Sequence, residues 1–181
     1  EGLVDGQVHG IDRTYPASIR PVLQIIPRKQ GVRKVSGLYL VVSRHRTLLF
    51  ADTTVNIHPD AGDLAEIAVL SAEMAEFFNV EPKVAMLSFS DFGATRHPDA
   101  EKMAEAAKIA KACRPELIVD GEMQADTAVD TDGLGDFPFN ALGSPANVLV
   151  FPDLASGNIA YKLLHSLGGA QVIGPLLMGL S

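Results

Sequence analysis

A single cysteine, Cys113, leaves the 181-residue chain without a partner for an internal disulfide. Long apolar runs are missing too. Segments such as Val148 to Phe151 fall far short of the ~20 residues that a membrane-crossing helix requires. The N-terminus shows none of the charged, apolar and small-residue succession of a signal peptide. These absences predict a soluble protein of a reducing, cytoplasmic compartment. Positive charge is also in short supply, with 15 Lys and Arg against 22 Asp and Glu and a net charge of −7. The densest basic stretches are Arg28 to Lys34 and Arg44-His45-Arg46. Binding to a phosphate backbone rests on clustered cations, so nucleic acid and anionic membrane are not expected partners. Internal repeats and low-complexity segments are absent as well.

What the chain does have is apolar content, 47% of residues, enough for the core of one domain or one and a fraction. It begins Glu1-Gly2-Leu3 without an initiator methionine and ends Gly179-Leu180-Ser181 directly after an apolar segment. Both ends read as cuts, and an excised domain is expected.

Hydrophobic periodicity supplies the elements. Ser18 is placed to cap a helix with Ile19, Val22, Leu23 and Ile26 on one face, ended by Pro27. Extended runs at Val35 to Val42 and Leu48 to Ala51, separated by Ser43 to Thr47, predict an antiparallel pair. From Asp63 onward helices and strands alternate: helix to Phe78, strand Val84 to Leu87, helix His97 to Cys113, strand Leu117 to Val119 and a short helix Ala125 to Val129. A Gly/Pro-rich loop is predicted over roughly 131–145, followed by strand Val148 to Phe151, helix Gly157 to Leu167 and strand Gln171 to Ile173. Gly174-Pro175 reads as a tight turn. Alternation with helices of this length calls for a largely parallel sheet covered on both faces, with the early hairpin as an antiparallel edge. The expected fold is a three-layer α/β/α sandwich with a mixed sheet.

Polar residues collect at the carboxyl ends of the predicted strands, where open α/β sheets bind ligands. Ser88-Phe89-Ser90 precedes a helix start, so its hydroxyls and free N–H groups suit an anion; ordinary turn and cap chemistry is the other reading. Asp120, Glu122 and Asp126 put three carboxylates in seven residues. They suit oxygen ligation of a divalent cation, or else turn capping and favourable placement at a helix N-terminus. Asp153, Asn158 and Lys162 follow a strand, with Asn158 and Lys162 one helical turn apart. They suit a diphosphate or nucleotide end, or a lock between loop and neighbour. Cys113 and His97 sit in no pattern for nucleophilic or metal chemistry.

The residues also carry a family resemblance. Asp5-Gly6, Gly10, Ile19-Arg20-Pro21 with Leu23-Gln24-Ile25-Ile26, Ser88-Phe89-Ser90, Asp120-Gly121-Glu122, Gln124, Asp126, Pro152-Asp153, Gly157-Asn158 and Tyr161-Lys162 resemble the phosphate acetyl/butyryl transferase family across nearly the whole chain. Within it, the wording of Val35 to Leu40, Arg46 to Asn56, Leu64 to Ala68 and Ser88 to Gly93 resembles the C-terminal domain of bacterial hybrid NADP-dependent malic enzymes.

The resemblance implies a fold akin to isocitrate and isopropylmalate dehydrogenases, with a cleft between two lobes. Residues 1–30 are then the tail of the first lobe and 31–181 most of the second. It further implies an acyl-CoA or phosphate site with Arg20, Ser88, Ser90, Asp126, Asn158 and Lys162 as ligand-facing residues. Arg20 falls where the family's transferases bind their anionic substrate, a guanidinium offering paired hydrogen bonds to phosphate, with a solvated helix arginine as the alternative; Arg13 is a weaker helper. No catalytic residue and no metal are expected in this stretch. The family's Ser-Arg motif falls beyond Ser181, so transferase activity is not expected here. The leading expectation is a regulatory module that binds acetyl-CoA as effector for a malic-enzyme catalytic region in cis, with NADP and Mg or Mn held outside this chain. A catalytic phosphate acetyltransferase and an oligomerisation domain are the alternatives, and a homo-oligomer is expected in either case.

Overall fold

The computed structural model describes residue 12 and residues 14–181. Arg13 and the expectations on Asp5-Gly6, Gly10 and the opening segment lie outside the described residues.

Helix α1, Tyr15–Ile25, starts four residues earlier than its periodicity suggests, with Thr14 as N-cap in place of Ser18 and Pro16 in the first turn, where a missing N–H costs nothing. The Ser18 hydroxyl donates to the Thr14 carbonyl instead of capping. Strands β1, Ser36–Val42, and β2, Thr47–Ala51, form the expected antiparallel hairpin. Helix α2, Ala61–Phe77, begins with a capping box between Asp60 and Asp63. Then come β3, Lys83–Leu87; α3, Pro98–Cys113; β4, Ile118–Met123; and α4, Ala125–Val129. A five-residue helix α5, Thr131–Gly135, capped by the Asp130 carboxylate, lies inside the segment expected to be loop. The last elements are β5, Val148–Val150; α6, Leu154–Ser166; and β6, Gln171–Met178.

The six strands of the described residues run in the order β4-β3-β5-β2-β1-β6. Strands β2 to β5 are mutually parallel, and β1 is antiparallel to both β2 and β6. The hairpin is therefore interior to the sheet, and β6, not the hairpin, makes the antiparallel-paired edge. Gly174-Pro175 is not a turn: β6 runs through it, with a register irregularity opposite Tyr39. An edge strand at a bulge accommodates both residues.

One face of the sheet is covered by α2 and α3 over Leu38, Leu64, Met86, Met103, Val148 and Val150. The other packs Phe50, Leu87, Met123, Leu134, Leu149 and Phe151 beneath α4, α5 and α6. This is a three-layer α/β/α sandwich with a mixed sheet, as expected. No described helix is long and apolar enough to cross a membrane.

Candidate functional site

The carboxyl ends of β2, β3, β4 and β5 lie along one edge of the sheet, joined there by the start of β1 and the end of β6. Three side-chain systems shape this edge.

At β2, Asp52 is 2% exposed and accepts five hydrogen bonds. They come from the backbone N–H groups of Gly37 (3.1 Å), Thr54 (2.9 Å), Val55 (3.2 Å) and Asn56 (2.9 Å) and from the Asn56 amide (2.6 Å). The carboxylate thus folds 52–56 into a closed turn and ties it to β1. Gly157 of α6 sits against it so closely that a Cβ there would lie 2.9 Å from the Asp52 carbonyl oxygen.

At β3 and β4, the buried Glu122 accepts the Gly93 N–H at 2.6 Å, with the Ser90 hydroxyl at 3.4 Å. The Ser90 oxygen in turn accepts the Thr95 N–H at 2.9 Å. The 88–95 loop closes over the end of β4 with Phe92 and Gly93 both at positive φ. Phe92 packs at a tilt against Phe137 and edge-on against Phe139, at centroid separations of 5.0 and 5.1 Å.

Between these, the only three tyrosines of the chain gather near the end of β2. Tyr39 and Tyr161 stack at 4.4 Å. Burial pushes the hydroxyl pKa values of Tyr15 and Tyr39 above the ordinary value, so both stay neutral.

The sequence candidates distribute unevenly over this geometry. Ser90 is buried and committed to the loop, whereas Ser88 is half-buried with its hydroxyl unpaired among the described residues. Asp120 and Glu122 lie within β4, not beyond its end, because β4 runs on to Met123. Asp120 accepts from the N–H groups of Gly121 (2.9 Å) and Ala141 (2.5 Å) and so anchors the 136–146 loop. Asp126 is exposed in α4. The three carboxylates therefore serve three different places, and no described group of His, Cys, Asp and Glu converges as metal ligands do. Asp153 caps α6 by accepting the Ser156 N–H at 2.7 Å. Asn158 donates to the Thr53 carbonyl at 3.2 Å, and exposed Lys162 lies 6.0 Å from the Tyr161 ring. Arg20 is on the exposed side of α1. His97 caps α3, accepting the Asp99 N–H at 3.2 Å, and Cys113 is exposed. Sequence reasoning missed Asp52 and the aromatic trio, whose roles arise from contacts between distant segments.

The profile of the phosphate acetyl/butaryl transferase family matches residues 1–181. The chain belongs to that family. It is 46% identical over 182 residues to a phosphate acetyltransferase of Bacillus subtilis, covering 100% of this chain and 56% of the relative. A phosphate acetyltransferase of Clostridium acetobutylicum is 43% identical over 187 residues, covering 99% and 56%. Among solved structures, a phosphotransacetylase from Streptococcus pyogenes superposes with a TM-score of 0.92 at 43% identity, over 99% of this chain and 56% of the other. The EutD phosphotransacetylase from Staphylococcus aureus gives 0.86 at 42%, over 90% and 51%. This member of the family thus spans about half the length of the curated relatives it matches.

These relatives overturn the expectation of a malic-enzyme regulatory module, and with it the oxidoreductase, NADP and malate assignments and the malic-enzyme partner domain. The segments that suggested the hybrid enzymes explain the error. Val35 to Leu40 and Leu64 to Ala68 supply largely buried residues of β1 and α2, Arg46 to Asn56 runs through β2 into the Asp52 turn, and Ser88 to Gly93 is strapped to Glu122. Their wording reports packing of the shared scaffold, not a separate function.

Proposed function

We propose that this chain is part of a phosphate acyltransferase, an enzyme that moves an acetyl or similar short acyl group between coenzyme A and inorganic phosphate. The observation that carries the reading is the 46% identity to a phosphate acetyltransferase over the whole chain, so that every segment of the carboxyl edge lies inside the aligned span. In the forward direction a phosphate oxygen attacks the thioester carbonyl carbon, the C–S bond breaks, and the sulfur leaves as thiolate and takes a proton. Such a reaction asks the protein to hold two polyanions in line and to neutralise charge that shifts between them. On this reading the carboxyl edge is the substrate cleft. Ser88 offers a free hydroxyl there, and Arg20 supplies the fixed cation for phosphate.

The test supplies acetyl-CoA and phosphate to the whole transferase of which this chain is proposed to be part, and follows release of free thiol together with acetyl phosphate formation. Turnover that falls by about 10²-fold or more in Arg20→Ala is expected for a lost charge-stabilising contact. Absence of thiol release from the unaltered protein sinks the reading.

A self-associating protein is also expected, and the exposed apolar side chains of α6 and β6, Ile159, Leu163, Leu167 and Ile173, favour it. Light scattering should report a mass above the 19.2 kDa of one chain, reduced by Leu167→Lys.

A further inference from the structure

The connections that leave β3 and β5 diverge. Strand β3 is followed by α3, which packs on the face of Leu38 and Met86 and leads to β4 on one side. Strand β5 is followed by α6, which lies on the face of Phe50 and Leu149 and leads to β6 on the other side. Neighbouring parallel strands whose connections part in this way leave a crevice between their carboxyl ends, the switch point at which open α/β sheets take ligands. Lys102, in the second turn of α3, reaches over this crevice. Its half-buried side chain donates to the carbonyl of Pro152, just beyond β5, at 2.9 Å. An ammonium carries three N–H donors, so this bond leaves others to spare. Among the described residues Lys102 enters no ion pair, whereas Lys29, Arg33, Lys34 and Arg114 are each held by a carboxylate. The neighbouring Asp153 spends its carboxylate on the Ser156 N–H at 2.7 Å. A cation kept half out of water with no counter-charge is costly, and an anion in the crevice would relieve that cost.

Ser88 stands on the same side of the crevice. Val84 and Met86 face α2 and α3 while Ala85 and Leu87 face the opposite layer, and this alternation carries Ser88 to the α3 side. Met86 pairs with Val150, so the same register continued by two residues sets Ser88 abreast of Pro152, one strand spacing of ~4.8 Å away. The unpaired Ser88 hydroxyl and the spare Lys102 donors therefore approach one place from two elements. We infer that Lys102 is a substrate-touching residue of the transfer reaction, holding with Ser88 the oxygens of the inorganic phosphate that attacks the thioester. The inference rests on the transferase reading for the identity of the anion. In that reaction one phosphate oxygen bonds to the acyl carbon while the thiolate leaves. Lys102 holds the remaining oxygens, and its bond to Pro152 fixes the ammonium beforehand, so that little reorientation is needed during the attack. A lone lysine on an alanine-rich helix carries no sequence signal of such a role, because the strand crossing that places it is not local.

The experiment treats the whole transferase with an amine-reactive succinimidyl ester, with and without saturating inorganic phosphate. Peptide mass spectrometry then compares modification of Lys102 with that of exposed Lys108 on the same helix. Phosphate should slow modification of Lys102 severalfold and leave Lys108 unchanged. In the thiol-release assay, Lys102→Gln should raise the KM for phosphate by about tenfold, the scale of one charge-assisted bond, with the KM for acetyl-CoA little changed. Lys102→Arg keeps the charge and should recover most of the loss. A lysine that served only to tie α3 to Pro152 would lower Tm in Lys102→Gln without that split between substrates and without protection by phosphate, which overturns the assignment. Equal modification with and without phosphate, in a protein that releases thiol, also overturns it and leaves the transferase reading standing. Protection of Lys102 without thiol release keeps the anion site and sinks the transferase reading, and the absence of both sinks both.

Discussion

The carboxylate of Asp91 accepts both the backbone N–H of Gln124 at 2.8 Å and its side-chain amide at 2.6 Å. A residue of the loop after β3 thus reads the main chain and side chain of the first residue beyond β4. Asp91 is half-buried and Gln124 exposed, so the worth of the pair lies in holding the loop more than in global stability. Asp91→Ala should cost about 1 kcal/mol, a fall in Tm of roughly 2–4 °C for a chain of this size. Amide exchange should quicken selectively over 89–95. Uniform exchange across the protein would contradict a local strap.

Asp52 is a different case, because its five donors are held at a nearly inaccessible carboxylate. Asp52→Ala leaves four backbone N–H groups and an amide without their acceptor, each orphaned buried group costing about 1–3 kcal/mol. Denaturant unfolding should show a loss of 3 kcal/mol or more, with Asp52→Asn falling between because one oxygen remains to accept. A loss below 1 kcal/mol in Asp52→Ala would refute the turn's dependence on the carboxylate.

The Gly157 prediction concerns packing. A Cβ there would meet the Asp52 carbonyl at 2.9 Å, the Thr53 methyl at 3.1 Å and the Phe151 ring at 3.2 Å. Gly157→Ala must push α6 off the end of β2, costing about 1–3 kcal/mol despite the better helix propensity of alanine. It should also weaken substrate affinity if the Asn158 contact to Thr53 positions the cleft. A stabilised Gly157→Ala protein would show that α6 is free to shift.

Asp63 sets an acid-limb prediction. Burial raises its pKa, but the Lys34 ammonium, the Asp60 N–H and the charge of Arg33 outweigh that and leave it below the ordinary carboxylate value. A lowered folded-state pKa means stability that is present above the unfolded value, near 3.9, and is lost as pH falls through the folded one. Urea titrations from pH 6 down to pH 2 should therefore show a steeper loss in the parent than in Asp63→Asn. Parallel curves would mean that the ion pairs contribute nothing in solution.

Much of the sheet was legible from apolar runs, since Val84 to Leu87 and Val148 to Val150 are buried on both faces and need no partner to be recognised. Helices α3 and α4 were legible for local reasons, a proline start in one and a short periodic run in the other. What escaped was set by contacts far along the chain. The extension of β4 through Asp120, Gly121 and Glu122 looks like a loop locally, and it pairs because β3 lies beside it. Gly174-Pro175 carries the strongest local turn signal in the last third, and strand β1 overrides it. Ser88 and Arg20 entered as candidates through family resemblance, whereas the Asp52 turn and the packed rings of Phe92, Phe137 and Phe139 depend on segments that only the fold brings together.

The Gly174-Pro175 step in β6 also guards the protein against itself. An edge strand is a template on which a further strand can zip, and uninterrupted edges seed fibrils and non-specific sheet stacking. Pro175 has no N–H to lend to such an intruder, and the bulge opposite Tyr39 breaks the regular spacing that a docking strand would need. Among the described residues, the same step that lets β6 pair with β1 thus blunts the outer edge of the sheet.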